Sequence, residues 1–502
     1  MRLLQVGAVF VIACFAFCAE AKVASIGFTV DQGPSLFSLQ SGTTSYFGAA
    51  NIHSSSYATL AEYPVTIDVI GTAKNPEILV VPVPGKADIT LRRARFKAGI
   101  GFVSDGHGGS IPNPQVQANG LTYFWYGLSL DGTVEATLSV TRGAMSGLLY
   151  GPDIRYWITP SNSGEVFRII DTSVFDSISD ADPVIASGAI AQAPVSQPSA
   201  TGALSASASP SGMTAYSVTI KTMVLYTANA LARAGSQSAM NAEIALGINQ
   251  LNTALANSQV NRVQYVLAHS EQTTLDERAY GSFKDAGTRF DQYRRWVQAD
   301  PGVASLRNTY NADEVQVIMD DRVNAPLGSL YGISYTQRHN CGITGYLPDI
   351  LGCDVGPAYK AFALSVIDYS SFTVDYTFVH EVGHTLGGDH NPQQGAAPGQ
   401  GAYLFNYGHY VDQVARDAIS YATYCTGGNS SACPAKLIYS NPYLNFPGTS
   451  VPSGRLTQEG SNDPRYRYNA MAIDYLAQGV ANFYEPTVAD DTIFIDGMGD
   501  PF

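Results

Sequence analysis

Two hydrophobic rhythms divide the chain. From Lys22 to about Ala186, apolar and polar positions alternate in short runs: Ile78 to Val83, Leu121 to Leu128, Thr133 to Val140, Arg155 to Ile158 and Glu165 to Ile170. Turn residues such as Asp131-Gly132 and Ser163-Gly164 separate them. Successive strand side chains point to opposite faces, so this period of two predicts an antiparallel, β-rich domain. After about residue 216 the period lengthens. Thr222 to Thr227 reads as a buried strand, Ile244, Ile248, Leu251 and Leu255 recur at helical spacing, and Val263 to Ala268, Val315 to Met319 and Phe362 to Ile367 are further apolar strands. Charged helical sequence surrounds Phe283 to Val297, another helix starts near Thr373, and a final one covers Asn469 to Phe483. Strands mixed with helices predict an α+β domain here.

The segments outside these patterns carry their own signals. Ser187 to Ala215 is Ala, Ser, Pro and Gly without a single charge, too poor in large apolar residues to build a core, and reads as a linker open to proteases. Asp490 to Phe502 is an acidic, Gly-rich tail. At the start, Arg2, an apolar run from Val6 to Cys18 and the small residues of Ala19-Glu20-Ala21 have the form of a cleaved export signal, with Lys22 first in the mature chain. The run is shorter than the ~20 residues that span a bilayer. The expected organisation is signal peptide 1–21, β-rich propeptide domain 22–186, linker 187–215, α+β domain 216–488 and tail 489–502, in a secreted protein.

Composition narrows the partners. With 28 Lys and Arg against 42 Asp and Glu, a net charge of −14, the chain lacks the cationic surplus that nucleic acid or an anionic membrane demands. Oligomeric state is not set by these features. Export would remove Cys14 and Cys18, leaving Cys341, Cys353, Cys425 and Cys433. An even number in an exported chain suggests two disulfides; Cys341 to Cys353 and Cys425 to Cys433 is the preferred pairing, with the crossed pairings open.

The helix near Thr373 carries the chemistry. It reads His380-Glu381-Val382-Gly383-His384-Thr385-Leu386-Gly387-Gly388-Asp389-His390. His380 and His384 stand one helical turn apart and share a face, so both imidazoles can grip one ion. Gly387 can end the helix in a left-handed conformation, and the returning chain brings His390 as a third ligand. Three imidazoles with an open fourth position are the donor set of a catalytic zinc. Glu381, beside the first ligand, points next to the metal and can take a proton from the water that zinc activates, then hand it to a departing amine. Such a pattern arises by chance less than about once in 10,000 chains of this length, so incidental histidines in a buried helix are a poor explanation. His53, His107, His269, His339 and His409 have no partner at ligand spacing.

This segment resembles the extended zinc signature H-E-x-x-H-x-x-G-x-x-H of the metzincin metalloproteases in every specified position. From about Thr377 to Phe483 the chain is similar to the reprolysin-like bacterial secreted enzymes, closest to the peptidyl-Asp metalloproteases, through His390-Asn391-Pro392, Tyr407-Gly408-His409-Tyr410, Ser440-Asn441-Pro442 and the final helix. The resemblance implies a twisted, mostly parallel sheet with the zinc helix at the cleft, an edge strand that pairs with protein or peptide substrates, placed at Gly342 to Tyr346, and a precursor inhibited by its own propeptide. It also implies a Met-containing turn, S-I-M-x-Y, beneath the metal. The counterpart chosen is Ser420-Tyr421-Ala422-Thr423-Tyr424, with Ala422 in place of Met and Tyr424 as a catalytic residue that binds metal or stabilises the oxyanion. Met471 is a weaker alternative because it fits the last helix.

Other departures bear on latency and specificity. No Cys lies between Lys22 and Asn340, so a cysteine cannot block the zinc; Asp105 or His107 in a Gly-rich segment is the substitute to consider. Preference for acidic residues would need a cation in the pocket, for which Arg416 and Lys436 are candidates. Calcium, common in relatives, is not indicated by any Asp-rich loop of ligand spacing. The expected activity is zinc-dependent endopeptidase hydrolysis. Its alternatives are a degenerate binding protein on a protease scaffold and a zinc amidase on a non-protein substrate. Maturation is expected near Thr214 to Val218.

Overall fold

A computed structural model describes residues 34–39, 45–46, 59–68, 76–94, 102–104, 110–112, 122–141, 144–152, 155–161, 164–170, 184–185, 218–324, 331–336, 357–393, 405–428, 432–456 and 467–484. The signal peptide, the linker, the tail, Asp105, His107, Cys341, Cys353 and Gly342 to Tyr346 lie outside them. All the described residues belong to one compact unit, Gly33–Phe502.

The alternating N-terminal pattern becomes an antiparallel sheet of ten strands. These are β1 (Phe37–Leu39), β2 (Ser45–Tyr46), β3 (Thr59–Ile67), β4 (Ile78–Val81), β5 (Ile89–Arg93), β8 (Thr122–Ser129), β9 (Glu135–Thr141), β10 (Ala144–Tyr150), β11 (Arg155–Ser161) and β12 (Gly164–Ile170), while β6 (Phe102–Ser104) and β7 (Ser110–Pro112) form a separate hairpin. They run in the order β1-β3-β12-β11-β10-β9-β8-β5-β4, with β2 beside β3. Gly132 turns the chain between β8 and β9 at φ 75°. One face packs on itself through Trp125, Leu138, Met145, Leu149, Ile158 and Phe167.

The opposite face of that sheet is covered by the second half of the chain. A mixed sheet of six strands there has the order β13-β17-β18-β16-β14-β15, made of β13 (Val184–Ile185), β14 (Val218–Tyr226), β15 (Val263–Gln272), β16 (Glu314–Met319), β17 (Gly332–Thr336) and β18 (Leu364–Asp368). Every pairing in it is parallel except β17 with β18. The helices are α1 (Ala228–Ala234), α2 (Gln237–Asn257), α3 (Ala286–Ala299), α4 (Pro301–Thr309), α5 (Thr377–Thr385) and α6 (Asn469–Ala481). Ser236 caps α2 by accepting from Ala239 N, and Asp300 caps α4, where Pro301 supplies a preset φ at the first position.

Helix α2 is buried on more than one side, which explains its weak amphipathicity. Gly247 lets Phe372 and Phe378 approach, since a Cβ there would lie 2.9 Å from Phe372. Toward the N-terminal sheet, Glu243 accepts from Ser146 Oγ (2.5 Å) and Trp157 Nε1 (3.0 Å), and Asn249 donates to Ser139 Oγ (3.0 Å). Phe124, Tyr126, Leu148, Tyr150, Trp157 and Ile170 belong to the same hydrophobic core as α2 and the mixed sheet. At about 2 kcal/mol for each large apolar side chain buried, these six contribute on the order of 10 kcal/mol. They join the two halves in one hydrophobic core.

Candidate metal centre

Helix α5 starts from a strained residue. Tyr376 sits at φ 60° and its carbonyl accepts from His380 N at 2.9 Å. His380 and His384 then emerge one turn apart, and Gly387 at φ 83° reverses the chain as expected. The return is fixed by Asp389 N donating to the Asn406 carbonyl (2.7 Å) and Asn406 Nδ2 donating to the Gly387 carbonyl (2.6 Å). This delivers His390. The three Nε2 atoms lie 3.0 to 3.1 Å from one another, and all three residues are buried.

That geometry fits a bound cation. His380 Nδ1 faces the Ala418 carbonyl at 2.9 Å and His384 Nδ1 faces the Gly388 carbonyl at 2.8 Å. Carbonyls only accept, so each Nδ1 carries the proton and each Nε2 turns a lone pair inward. Converging lone pairs repel without a positive ion between them. Burial, followed by the neighbouring imidazole His384, holds His380 and His390 well below the usual imidazole pKa, in the neutral form that ligates. Among the described residues this is the group of His, Cys, Asp and Glu side chains arranged to hold a metal ion.

The floor of the site is a turn from Asp417 to Tyr421. Asp417 is buried and accepts from Ser420 N (2.9 Å), Ser440 N (2.9 Å) and His409 N (3.2 Å); burial pushes its carboxyl up to about 6 against these bonds. Ala418 supplies the carbonyl for His380. Ile419 is wedged against the helix and its return, and a Cβ on Gly383 or Gly388 would stand 2.5 Å from its Cδ1. Asn391 Oδ1 accepts from Tyr421 N (3.0 Å), and the Tyr421 ring lies 4.1 Å from that of His390 and 5.9 Å from that of His380.

Ala422 and Tyr424 belong to the following short helix, Ala422–Tyr424. Tyr424 is half-buried and donates to the Gln393 carbonyl at 3.1 Å. Met471 is half-buried on α6. The turn that contacts the histidines is Asp417-Ala418-Ile419-Ser420-Tyr421, ahead of the segment that holds Ala422 and Tyr424. An Ile three residues past the Arg416 backbone pairing and a Tyr two residues later were the available signal.

Glu381 is buried beside Gly332 of β17, the antiparallel strand of the mixed sheet. Glycine is what permits that approach, because any side chain would enter the space of the carboxylate. The two cations considered for a substrate pocket are occupied elsewhere. Arg416 Nη1 donates to the Ser420 carbonyl at 2.7 Å, and Lys436 is buried, its charge acting on Glu135. Cys425 and Cys433 form a disulfide, as in the preferred pairing. No helix among the described residues is long and apolar enough to cross a membrane.

Residues 216–439 match the model of Reprolysin_5, metallo-peptidase family M12. Curated proteins returned no match. A solved chaperone–substrate complex is similar at 15% identity and TM-score 0.35, over 70% of this chain and 39% of that one. Metalloproteinase-II from Bacteroides fragilis is similar at 12% identity and TM-score 0.33, over 62% of this chain and 81% of that one. The chain thus spans well under half of the first of these. The match to metallo-peptidase family M12 thus spans residues 216–439, which hold all three histidines.

Proposed function

We propose that the chain is a secreted zinc endopeptidase made as a precursor, with His380, His384 and His390 holding the metal and Glu381 acting as general base. The observation that carries this reading is the convergence of three buried Nε2 atoms within 3.1 Å of one another, with Glu381 buried on the same helix. Zinc bound there would lower the pKa of water toward neutrality and polarise the scissile carbonyl. Glu381 takes the proton of the attacking water and returns it to the leaving amide nitrogen. Tyr421, whose ring lies 4.1 Å from that of His390, takes the oxyanion role in this reading in place of Tyr424. Ile419 does the packing work of the expected Met.

Strand β17 is the edge to which an extended peptide would add. Its outer side is held by β13, with Val184 beside Tyr335 and Ile185 beside Thr336 in parallel register. Chain just ahead of the linker thus covers the edge, which supports a precursor activated when cleavage within 187–215 releases this two-residue strand from β17. The export signal at 1–21 supports secretion. Casein hydrolysis by wild type and by Glu381→Ala tests the reading: activity in the wild type alone supports it, and equal activity in both removes Glu381 from the mechanism.

A further inference from the structure

The N-terminal sheet touches the scaffold of the metal site at two points. In β11, buried Arg155 extends Nη2 to the Tyr150 hydroxyl (2.6 Å) and to Asp375 Oδ1 (2.8 Å), two residues ahead of helix α5. Arg416 Nη2 approaches the same Asp375 oxygen at 3.8 Å, while its Nη1 holds the Ser420 carbonyl at 2.7 Å. One carboxylate is therefore shared by two guanidiniums, one from each half of the chain. The turn thus held gives His380 its carbonyl partner and His390 its Tyr421 neighbour. The second point is Tyr376, whose ring stacks on Tyr150 at 4.9 Å and whose hydroxyl reaches Glu135 Oε2 at 3.4 Å. Tyr376 is the residue from which the zinc helix starts, and its left-handed backbone persists only where its surroundings hold it.

We propose that Arg155 is a positioning residue of the metal site, so that the N-terminal sheet is a working part of the active enzyme and stays bound after the linker is cut. This departs from the expectation that the β-rich domain leaves as a propeptide, and it rests on the peptidase reading above. Arg155 acts through Asp375 and Arg416, setting the turn at 417–421 against the start of α5. Removing one member of a buried ionic group leaves the others uncompensated, and a displacement of a fraction of an ångström in the turn is enough to slow the chemistry.

The test uses the full chain cut in the linker, as wild type, Arg155→Gln and Arg155→Lys. Zinc retention is measured by competition with a chelator, kcat and KM on a peptide substrate, and Tm on zinc-loaded protein. Arg155→Gln is expected to lower kcat by about 10- to 100-fold and to weaken zinc retention, with KM changed little, and Arg155→Lys to recover most of both. A lowered Tm with wild-type kcat and zinc retention would make Arg155 merely structural and overturn the proposal. In case the variants do not fold, wild-type enzyme nicked in the linker is passed over a sizing column. Activity is expected to travel with the N-terminal fragment; active enzyme free of that fragment overturns the proposal. A wild type with neither zinc nor hydrolysis overturns the peptidase reading as well, whereas an active wild type indistinguishable from Arg155→Gln overturns this inference alone.

Discussion

The backbone of Gly332 lies directly against the carboxylate of Glu381: a Cβ on Gly332 would stand 2.8 Å from both Cγ and Cδ of Glu381, and closer still to Oε1. The obstructing atoms are the far end of a flexible side chain, so the fold can absorb an added methyl by moving them. If Glu381 is the general base proposed above, activity does not absorb it, because the carboxylate is then displaced from the attacking water. Gly332→Ala is expected to lower kcat by about 10-fold or more while changing stability by less than about 1 kcal/mol. Steady-state kinetics with a urea titration checks both halves of this expectation.

The register of the turn gives a paired comparison. Tyr421→Phe is expected to lower kcat by about 100-fold, the usual cost of one oxyanion donor, and Tyr424→Phe to stay near wild type. The reverse order would restore the register first read from the sequence.

Ile419 fills the space under the ligands. Truncation in Ile419→Ala leaves a cavity costing about 2–4 kcal/mol and loosens the zinc site, whereas Ile419→Met keeps most of the volume and costs less than about 1.5 kcal/mol. Thermal denaturation with and without zinc separates packing from metal retention.

Acid sensitivity has an identifiable source at His409. Burial, with Arg467 and Arg455 adding repulsion, lowers its pKa to about 4, against about 6.5 in the unfolded chain. The folded state refuses a proton that the unfolded state accepts, so the stability is complete above about pH 6.5 and is lost as pH falls toward 4, by up to about 3 kcal/mol. Asp417, raised to about 6, acts with the opposite sign, since the folded state binds its proton first. His409→Gln keeps the Asp417 contribution and is expected to flatten the acid limb relative to wild type. Urea titrations at pH 7 and pH 4.5 measure the difference.

Much of this was legible in the sequence because the relevant signals are local. The three histidines and Glu381 are set by helical spacing and one glycine turn, and strands such as β12 and β16 by apolar runs. What escaped were relationships made across the chain. Glu135, Thr137 and Ser139 alternate with apolar residues in β9, a pattern that normally faces solvent. They are buried instead, with Ser139 and Thr137 receiving Asn249 and Gln250 of α2 and Glu135 accepting from Tyr126 at 2.5 Å. A polar strand face matched by a polar helix face looks, in either segment alone, like two exposed surfaces. Gly332 was equally silent, since its meaning lies in a carboxylate 49 positions later, the difference between 381 and 332. Asp417 holds the turn at 417–421 through Ser440 and His409, partners that no linear pattern links.

Metal content measured together with hydrolysis tests the central claim most directly. Purified protein cut in the linker, as wild type and as Glu381→Ala, would be assayed for zinc by elemental analysis and for cleavage of casein, before and after treatment with a chelator and again after zinc is restored. The account predicts one zinc per chain in both proteins, cleavage by the wild type alone, loss of that cleavage with the metal, and its return with zinc. Full cleavage by a chelator-treated, zinc-free wild type would contradict it.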